Sequence, residues 1–184
     1  MKLEQPKWPA QIPPEGILNM ATLGPLGTTM AAPGTWGSAA GLLFFVLCCT
    51  PLGIVELLIA GVLLGYLAVG ICGQAEIQLG KHDPGEVILD EFVAMPLCFI
   101  GWRMIAGGSG FWAFVMLLLA AFALFRFFDI RKPWVINRLQ ELPGGWGIVV
   151  DDTAAALATC ATLHVGHAVW VLVHGTAAVA STPS

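Results

Sequence analysis

The chain has 184 residues, one domain's worth, of which 57% are hydrophobic and only 11% charged; its mean hydropathy is +0.81 and its net charge −4. A soluble domain carries about 25% charged residues because water must wet its surface. An ordinary water-exposed globule is therefore excluded, the bilayer is the expected surroundings, and no nucleic-acid partner is expected.

Placement of the charges says more than their sum. They fall within residues 2–15, 76–91 and 126–152, with only Glu56 and Arg103 outside. The N-terminal stretch MKLEQPKWPAQIPPEG has no apolar core, so it is not a signal peptide. Residues 1–20 read as a Pro-rich, poorly ordered lead-in to a single membrane domain, 21–184.

Apolar blocks follow at 37–49, 51–74, 92–102, 111–128 and 154–173. A spanning helix needs about 20 apolar residues. By that rule 51–74, 111–128 and 154–173 span, whereas 37–49, ended by Thr50-Pro51, and 92–102, interrupted by Pro96, are too short to span squarely. The predicted fold is all-α: a polytopic helical membrane protein with three full-length apolar helices and two shorter ones. If each short block forms a hairpin with the next long one, the N-terminus and the 75–91 and 129–153 loops share one side. The turns at 50–53 and 103–110 and the C-terminus, Ser184, then lie on the other. Seven of the eight Lys and Arg fall on the shared side, which the positive-inside rule makes cytoplasmic.

Gly37/Gly41 and Gly61/Gly65 have the spacing that lets helices approach closely, or that 22 glycines produce by chance. Trp36, Trp102, Trp112, Trp134 and Trp146 flank apolar blocks as interfacial anchors do. Cys48, Cys49, Cys72, Cys98 and Cys160 lie in apolar segments without C-x-x-C spacing and read as small buried hydrophobes. Cys98 and Arg103 have four intervening residues, one fewer than a cysteine-phosphatase loop needs.

Three polar clusters carry the chemistry. In the first, Lys81-His82-Asp83 leads to Asp90-Glu91 at the mouth of an apolar helix. One carboxylate there is an ordinary helix-start residue; two, pressed against Phe92-Val93-Ala94-Met95, repel unless a cation lies beside them. In the second, Arg126 and Asp129 share a helix face near its end, followed by Arg131 and Lys132. An i,i+3 ion pair explains them in part, yet ionisable residues in so apolar a run are functional candidates. In the third, Pro143-Gly144-Gly145-Trp146-Gly147 permits a tight turn and close backbone approach to a ligand. Asp151 and Asp152 then open the last helix. One of them suits an N-cap; the other asks for a cation.

Asp83, Asp90, Glu91, Asp129, Asp151 and Asp152 thus offer hard oxygen ligands on one membrane face, with Lys81, Arg126, Arg131 and Lys132 among them. Acids suit Mg²⁺, bases suit a phosphate dianion, and a bilayer lies alongside. That combination suggests metal-assisted hydrolysis of a lipid phosphate, with a small ion-coupled transporter using the same acids as a cation pathway as the rival. His164, His167 and His174 share a face of the last helix, a pattern open to a metal but more often met by hydrogen bonding within a bundle.

The segments PGTWGS (33–38), KHDPGEVILDEF (81–92), FRFFDIRKPW (125–134) and GGWGIVVDDTAA (144–155) resemble, in order and spacing, the phosphatidylglycerophosphatase A family over roughly residues 20–160. The resemblance implies a multi-pass enzyme of the bacterial inner membrane, active site facing the cytoplasm. Such an enzyme removes the terminal phosphate of phosphatidylglycerophosphate with Mg²⁺ to give phosphatidylglycerol. Carried over by motif, it implies Asp90, Glu91, Asp129 and Asp152 as catalytic and, with Asp151, as metal-binding. Lys81, Arg126 and Lys132 would bind the phosphate, with His82 and Asp83 in the polar loop. The Leu23–Thr29 stretch matches the family loosely, and the His-bearing last helix matches nothing assigned.

Overall fold

A computed structural model describes residues 4–180, without the side chains of 134, 135, 137 and 175–180. It is 77% helical, and among the described residues there is no strand. Nine α-helices follow in order among the described residues: α1 (Pro14–Ala21), α2 (Pro25–Thr29), α3 (Pro33–Phe44), α4 (Ile54–Leu79), α5 (Leu89–Ala94), α6 (Trp102–Ala106), α7 (Phe111–Arg131), α8 (Trp134–Leu139) and α9 (Gly145–Ala180). A π-helical turn, Phe45–Cys49, prolongs α3, and a 3-10 segment, Met95–Phe99, prolongs α5. Pro14, Pro25 and Pro33 each open a helix, where a missing N–H costs nothing.

The three expected long helices are α4, α7 and residues Gly145–His174 of α9, each long and apolar enough to cross a membrane. The two short blocks are α3 with its π turn and α5 with its 3-10 segment. The second forms the centre of the bundle. Pro96 cannot donate the helical hydrogen bond, and the chain tightens there into 3-10 turns. Met95, Leu97, Cys98 and Phe99 are buried among Phe45, Leu57, Leu117, Phe125 and Ala155. An irregular backbone at membrane depth survives only when protein, rather than lipid, surrounds it. Because lipid is as apolar as leucine, close packing holds this core together; the Phe45 and Phe99 rings stack with centroids 4.0 Å apart.

Close approach is required at Gly41, where a Cβ would lie 2.5 Å from the Phe92 carbonyl oxygen and 2.8 Å from Met95 Cβ. Gly37 packs in the same way against Ile88. The other glycine pair differs: Gly61 faces only the Leu97 side chain, and Gly65 faces open space. The α3 pair therefore serves helix packing, and chance spacing accounts for Gly65.

Hydrogen bonds tie the loops into two ends. At one, Arg103 donates to the carbonyls of Thr50 (2.6 Å) and Leu52 (3.2 Å), joining the two turns expected to lie together. At the other, Gln5 donates to the Val69 carbonyl (3.0 Å) and accepts from the Gly145 amide (3.0 Å), and Gln140 reaches Asp83 (3.3 Å). The N-terminal stretch and the 75–91 and 129–153 loops thus meet at one end, as the hairpin arrangement requires. Ser184 lies outside the described residues.

Some expectations are corrected. Residues 8–20, read as part of a poorly ordered lead-in, form a 3-10 turn and most of α1, with Ile17 fully buried against α4; Pro9, Pro13 and Pro14 hid an amphipathic turn. Cys48 is exposed, although the other four cysteines are buried. Trp102, grouped with the flanking tryptophans, also packs between Phe45 and Phe114. The close approach at Gly145 is to the Val69 backbone of α4, not to a ligand.

Gly41→Ala should lower the thermal stability of the detergent-solubilised protein by about 1–3 kcal/mol through overpacking. Gly65→Ala, in open space, should leave it unchanged or slightly raised. Equal losses at both positions would contradict the packing described. Orientation is tested by cysteine labelling with Cys48 replaced by Ser. An impermeant maleimide should reach Ser109→Cys in intact cells and Lys81→Cys only after permeabilisation; the reverse pattern overturns the positive-inside assignment.

Candidate functional site

The polar end of the bundle closes on a cleft of about 150 Å³ lined by Asp83, Asp90, Glu91, Asp129, Asp151 and Asp152, with Lys132 the one basic side chain among its described lining residues. Four elements supply them. Asp83 comes from the loop after α4, Asp90 and Glu91 from the first turn of α5, Asp129 and Lys132 from the end of α7, and Asp151 and Asp152 from the second turn of α9. The N-cap expectation fails, since α9 already begins at Gly145. Neither Asp90 nor Glu91 caps α5, whose cap position is Ile88.

Asp90, Glu91 and Asp152 each place an oxygen within 4.8 Å of the other two, the only such group among the described residues. Asp90 Oδ1, Glu91 Oε2 and Asp152 Oδ2 are buried and have no hydrogen-bond partner. Buried carboxylate oxygens left so are costly, and three carboxylates brought this close form the donor set of a hard divalent cation. The chain's own residues therefore fit Mg²⁺.

The other two carboxylates expected beside them are used differently. Asp129 accepts a hydrogen bond from Arg126 Nη1 at 2.5 Å, and the same nitrogen lies 3.3 Å from Ser38 Oγ and 3.8 Å from Glu91 Oε1. Asp151 Oδ2 accepts from Lys132 Nζ at 2.7 Å, while its Oδ1 accepts from the Asp152 amide at 3.0 Å. A carboxylate tied to a cation at this distance has less to offer a metal, which is why only three of the five expected ligands converge.

Burial, first, and then the charge of Glu91 push Asp90 well above the ordinary carboxylate range. Burial raises Glu91 to about 7; Asp90 and Arg126 pull it down and Asp129 pushes it up. Burial works against the Lys132 ammonium, but the hydrogen bond and charge of Asp151 more than offset it and raise Lys132.

Lys81 and His82 stand outside the cleft. Lys81 is exposed and pairs with Glu86 at 3.1 Å, and His82 pairs with Glu76 at 2.5 Å, a contact that anchors the loop carrying Asp83. Arg126 sits behind the cleft wall. The histidines of α9 hold no carboxylate: His164 bonds the Ile100 carbonyl at 2.8 Å, and His167 and His174 stack on Trp170. Sequence reasoning missed Ser38, fully buried, which donates to the Gly34 carbonyl (2.8 Å) and receives Arg126. It also missed Gly34, whose Cβ would collide with Glu91 Oε1. Both lie in the PGTWGS segment, where an i,i+4 spacing on one helix face was the available signal.

A family model described as phosphatidylglycerophosphatase A matches residues 19–167. The chain is 42% identical over 132 residues to a phosphatidylglycerophosphatase A of Haemophilus influenzae, covering 71% of this chain and 76% of that protein. It is 31% identical over 150 residues to the phosphatidylglycerophosphatase A of Escherichia coli, covering 77% and 78%. No solved structure matches.

A carboxyl whose folded-state pKa is raised binds its proton more tightly folded than unfolded, so its contribution is full below the unfolded pKa and is lost as pH rises through the folded one. For Glu91 that window runs from the ordinary glutamate range to about 7. Metal-free protein should therefore lose up to roughly 1.4 kcal/mol per pH unit across it from this one group. Thermal unfolding from pH 4.5 to 8 in chelator reads the slope, and Glu91→Gln should flatten it. A stability that rises steadily across the window in the metal-free protein would contradict the assignment.

Proposed function

Because this chain belongs to the phosphatidylglycerophosphatase A family and is a phosphatase built as a helical bacterial membrane protein, we propose that it hydrolyses the terminal phosphomonoester of phosphatidylglycerophosphate with Mg²⁺ held by Asp90, Glu91 and Asp152. The cleft then faces the cytoplasm at the inner membrane. Two observations carry the metal reading: Asp90, Glu91 and Asp152 each bring an oxygen within 4.8 Å of the other two, and each has a buried oxygen without a hydrogen-bond partner.

Depth supports a lipid phosphate as substrate. At 1.5 Å per residue, about 27 Å of helix separates Asp152 from Trp170, and about 26 Å separates Asp129 from Trp112. Trp112 and Trp170 are exposed near the other end of the bundle, as interfacial aromatics are. A hydrocarbon layer is about 30 Å thick. With the tryptophans at one interface, the carboxylates stand at headgroup level in the opposite leaflet, where a lipid's phosphate lies while its acyl chains stay in the bilayer.

When bound, Mg²⁺ supplies a Lewis acid for the phosphoryl oxygens and lowers the pKa of a water at the site. Lys132 faces the cleft and neutralises charge on the phosphoryl group. One cleft carboxylate takes a proton from the attacking water as the new O–P bond forms. The bond from phosphorus to the glycerol oxygen breaks, and the proton passes to that oxygen, releasing phosphatidylglycerol and phosphate. Arg126 works from behind: bonded to Asp129 and Ser38 and near Glu91, it orders the acids that face the substrate. The transporter alternative is not carried forward, because Phe45, Met95, Phe99 and Phe125 fill the bundle between its two ends.

Phosphate release from purified protein tests this reading. Turnover of phosphatidylglycerophosphate should vanish in excess chelator and return with Mg²⁺. Asp90→Asn, Asp129→Asn and Asp152→Asn should each lower turnover by at least about 10²-fold in a folded, membrane-inserted protein, since Asn keeps the volume and loses the charge. Glu56→Gln, exposed at the far end, should change nothing. Full turnover in chelator, or three near-normal Asn variants, would sink the proposal.

A further inference from the structure

Asp151 and Asp152 are neighbours in sequence, yet their carboxylates live differently. Asp152 Oδ2 is buried and unpartnered beside Asp90 and Glu91. Asp151 is 1% exposed and has both oxygens engaged, one by the Asp152 amide and the other by Lys132. Successive side chains on a helix point about 100° apart, so one faces the carboxylate group and the other faces the end of α7.

Lys132 is unusual in its own backbone. It closes α7 with φ +39° and ψ +63°, the left-handed region that L side chains other than Asn and Asp rarely adopt. Its amide bonds the Phe128 carbonyl at 2.9 Å, which ends the helix, and its side chain lines the cleft. A glycine would relax this position; the chain carries a long cation there. Strain of this kind persists where the surrounding contacts over-determine it. An ammonium has three donors, so one bond to Asp151 leaves two for a ligand in the cleft.

We infer that Asp151 is a positioning residue: it fixes the Lys132 ammonium over the cleft so that Lys132 grips the phosphomonoester, and metal ligation is left to Asp90, Glu91 and Asp152. The need is electrostatic. A phosphate dianion approaching six acidic side chains is repelled unless charge of the other sign is held in place, and Lys132 is the one basic side chain among the described lining residues. A lysine freed from Asp151 would swing among the carboxylates on its flexible stem. This assignment rests on the phosphatase reading above and divides its residues into two jobs.

The experiment measures Mn²⁺ binding to the full-length protein in detergent by electron paramagnetic resonance, beside kcat and KM for phosphatidylglycerophosphate. Asp151→Asn should hold Mn²⁺ within about 3-fold of the unaltered protein and raise KM by roughly 10-fold or more, with a smaller effect on kcat. Asp152→Asn should weaken Mn²⁺ binding by at least about 10-fold. Asp151→Asn combined with Lys132→Met should be no worse in kcat/KM than Lys132→Met alone, because the two residues act as one unit. A loss of Mn²⁺ affinity in Asp151→Asn equal to that in Asp152→Asn overturns the inference, and so does an unchanged KM. If Asp151→Asn does not fold, the double variant, with both charges removed, decides: retained Mn²⁺ binding is expected and its loss overturns the assignment. Absence of Mn²⁺ binding in the unaltered protein is a different failure, that of the metal reading, and the double-variant kinetics still decide whether Asp151 acts through Lys132.

Discussion

Carboxylates that share a small buried space cannot all be charged unless something positive lies between them. That constraint organises the polar end of this bundle. Six acidic side chains line one small cleft; Asp83 accepts a hydrogen bond from Gln140, and for the other five the structure answers their repulsion in two ways. Asp129 and Asp151 are each paired with a side-chain cation within the protein. Asp90, Glu91 and Asp152 are not fully paired, and their unmatched oxygens converge. Converging carboxylates of this kind are the donor set on which the proposed Mg²⁺ site rests.

Holding such a site together demands a stiff scaffold, and in lipid stiffness comes from contact rather than from the exclusion of water. The short segment 89–99 supplies the centre. It begins with the two acids and continues through Pro96 into a fully buried run. Helix α3 lies directly against it because Gly37 and Gly41 present no side chain there. Arg126 then links three helices at one point, reaching Ser38 on α3, Glu91 on α5 and Asp129 on its own α7. Lys132 and Asp151 join α7 to α9 beside it. The 3-10 segment lies inside the protein and the π turn buries Phe45 and Cys49 while exposing Leu47 and Cys48, and the regular long helices face outward with apolar side chains.

The same arrangement separates the acids from the exposed tryptophans along the bundle. Helices α7 and α9 carry their acids close to one end and their exposed tryptophans close to the other, about one hydrocarbon thickness apart. With those tryptophans at one interface, as proposed, a phosphate attached to a lipid would meet the cleft without leaving its leaflet.

The sequence by itself determined what is local or compositional. Hydropathy and length marked the three long helices and the two short ones, since a bilayer imposes a length on any segment that crosses it. The clustering of charge placed the loops in two groups, and motif order pointed to the family. It did not show that residues 8–20 pack on α4, because their apolar positions are few and broken by proline. Nor could it sort the acids. Asp151 and Asp152 are identical neighbours in the sequence, and their difference depends on which faces Lys132 and which faces Asp90. Ser38 and Gly34 carry no charge, so nothing in their chemistry marked them; they matter because α3 lies against Arg126 and Glu91. Only the tertiary structure could decide these roles, because the energy of a buried charge depends on what lies within a few ångströms of it, and that is set by how the helices pack.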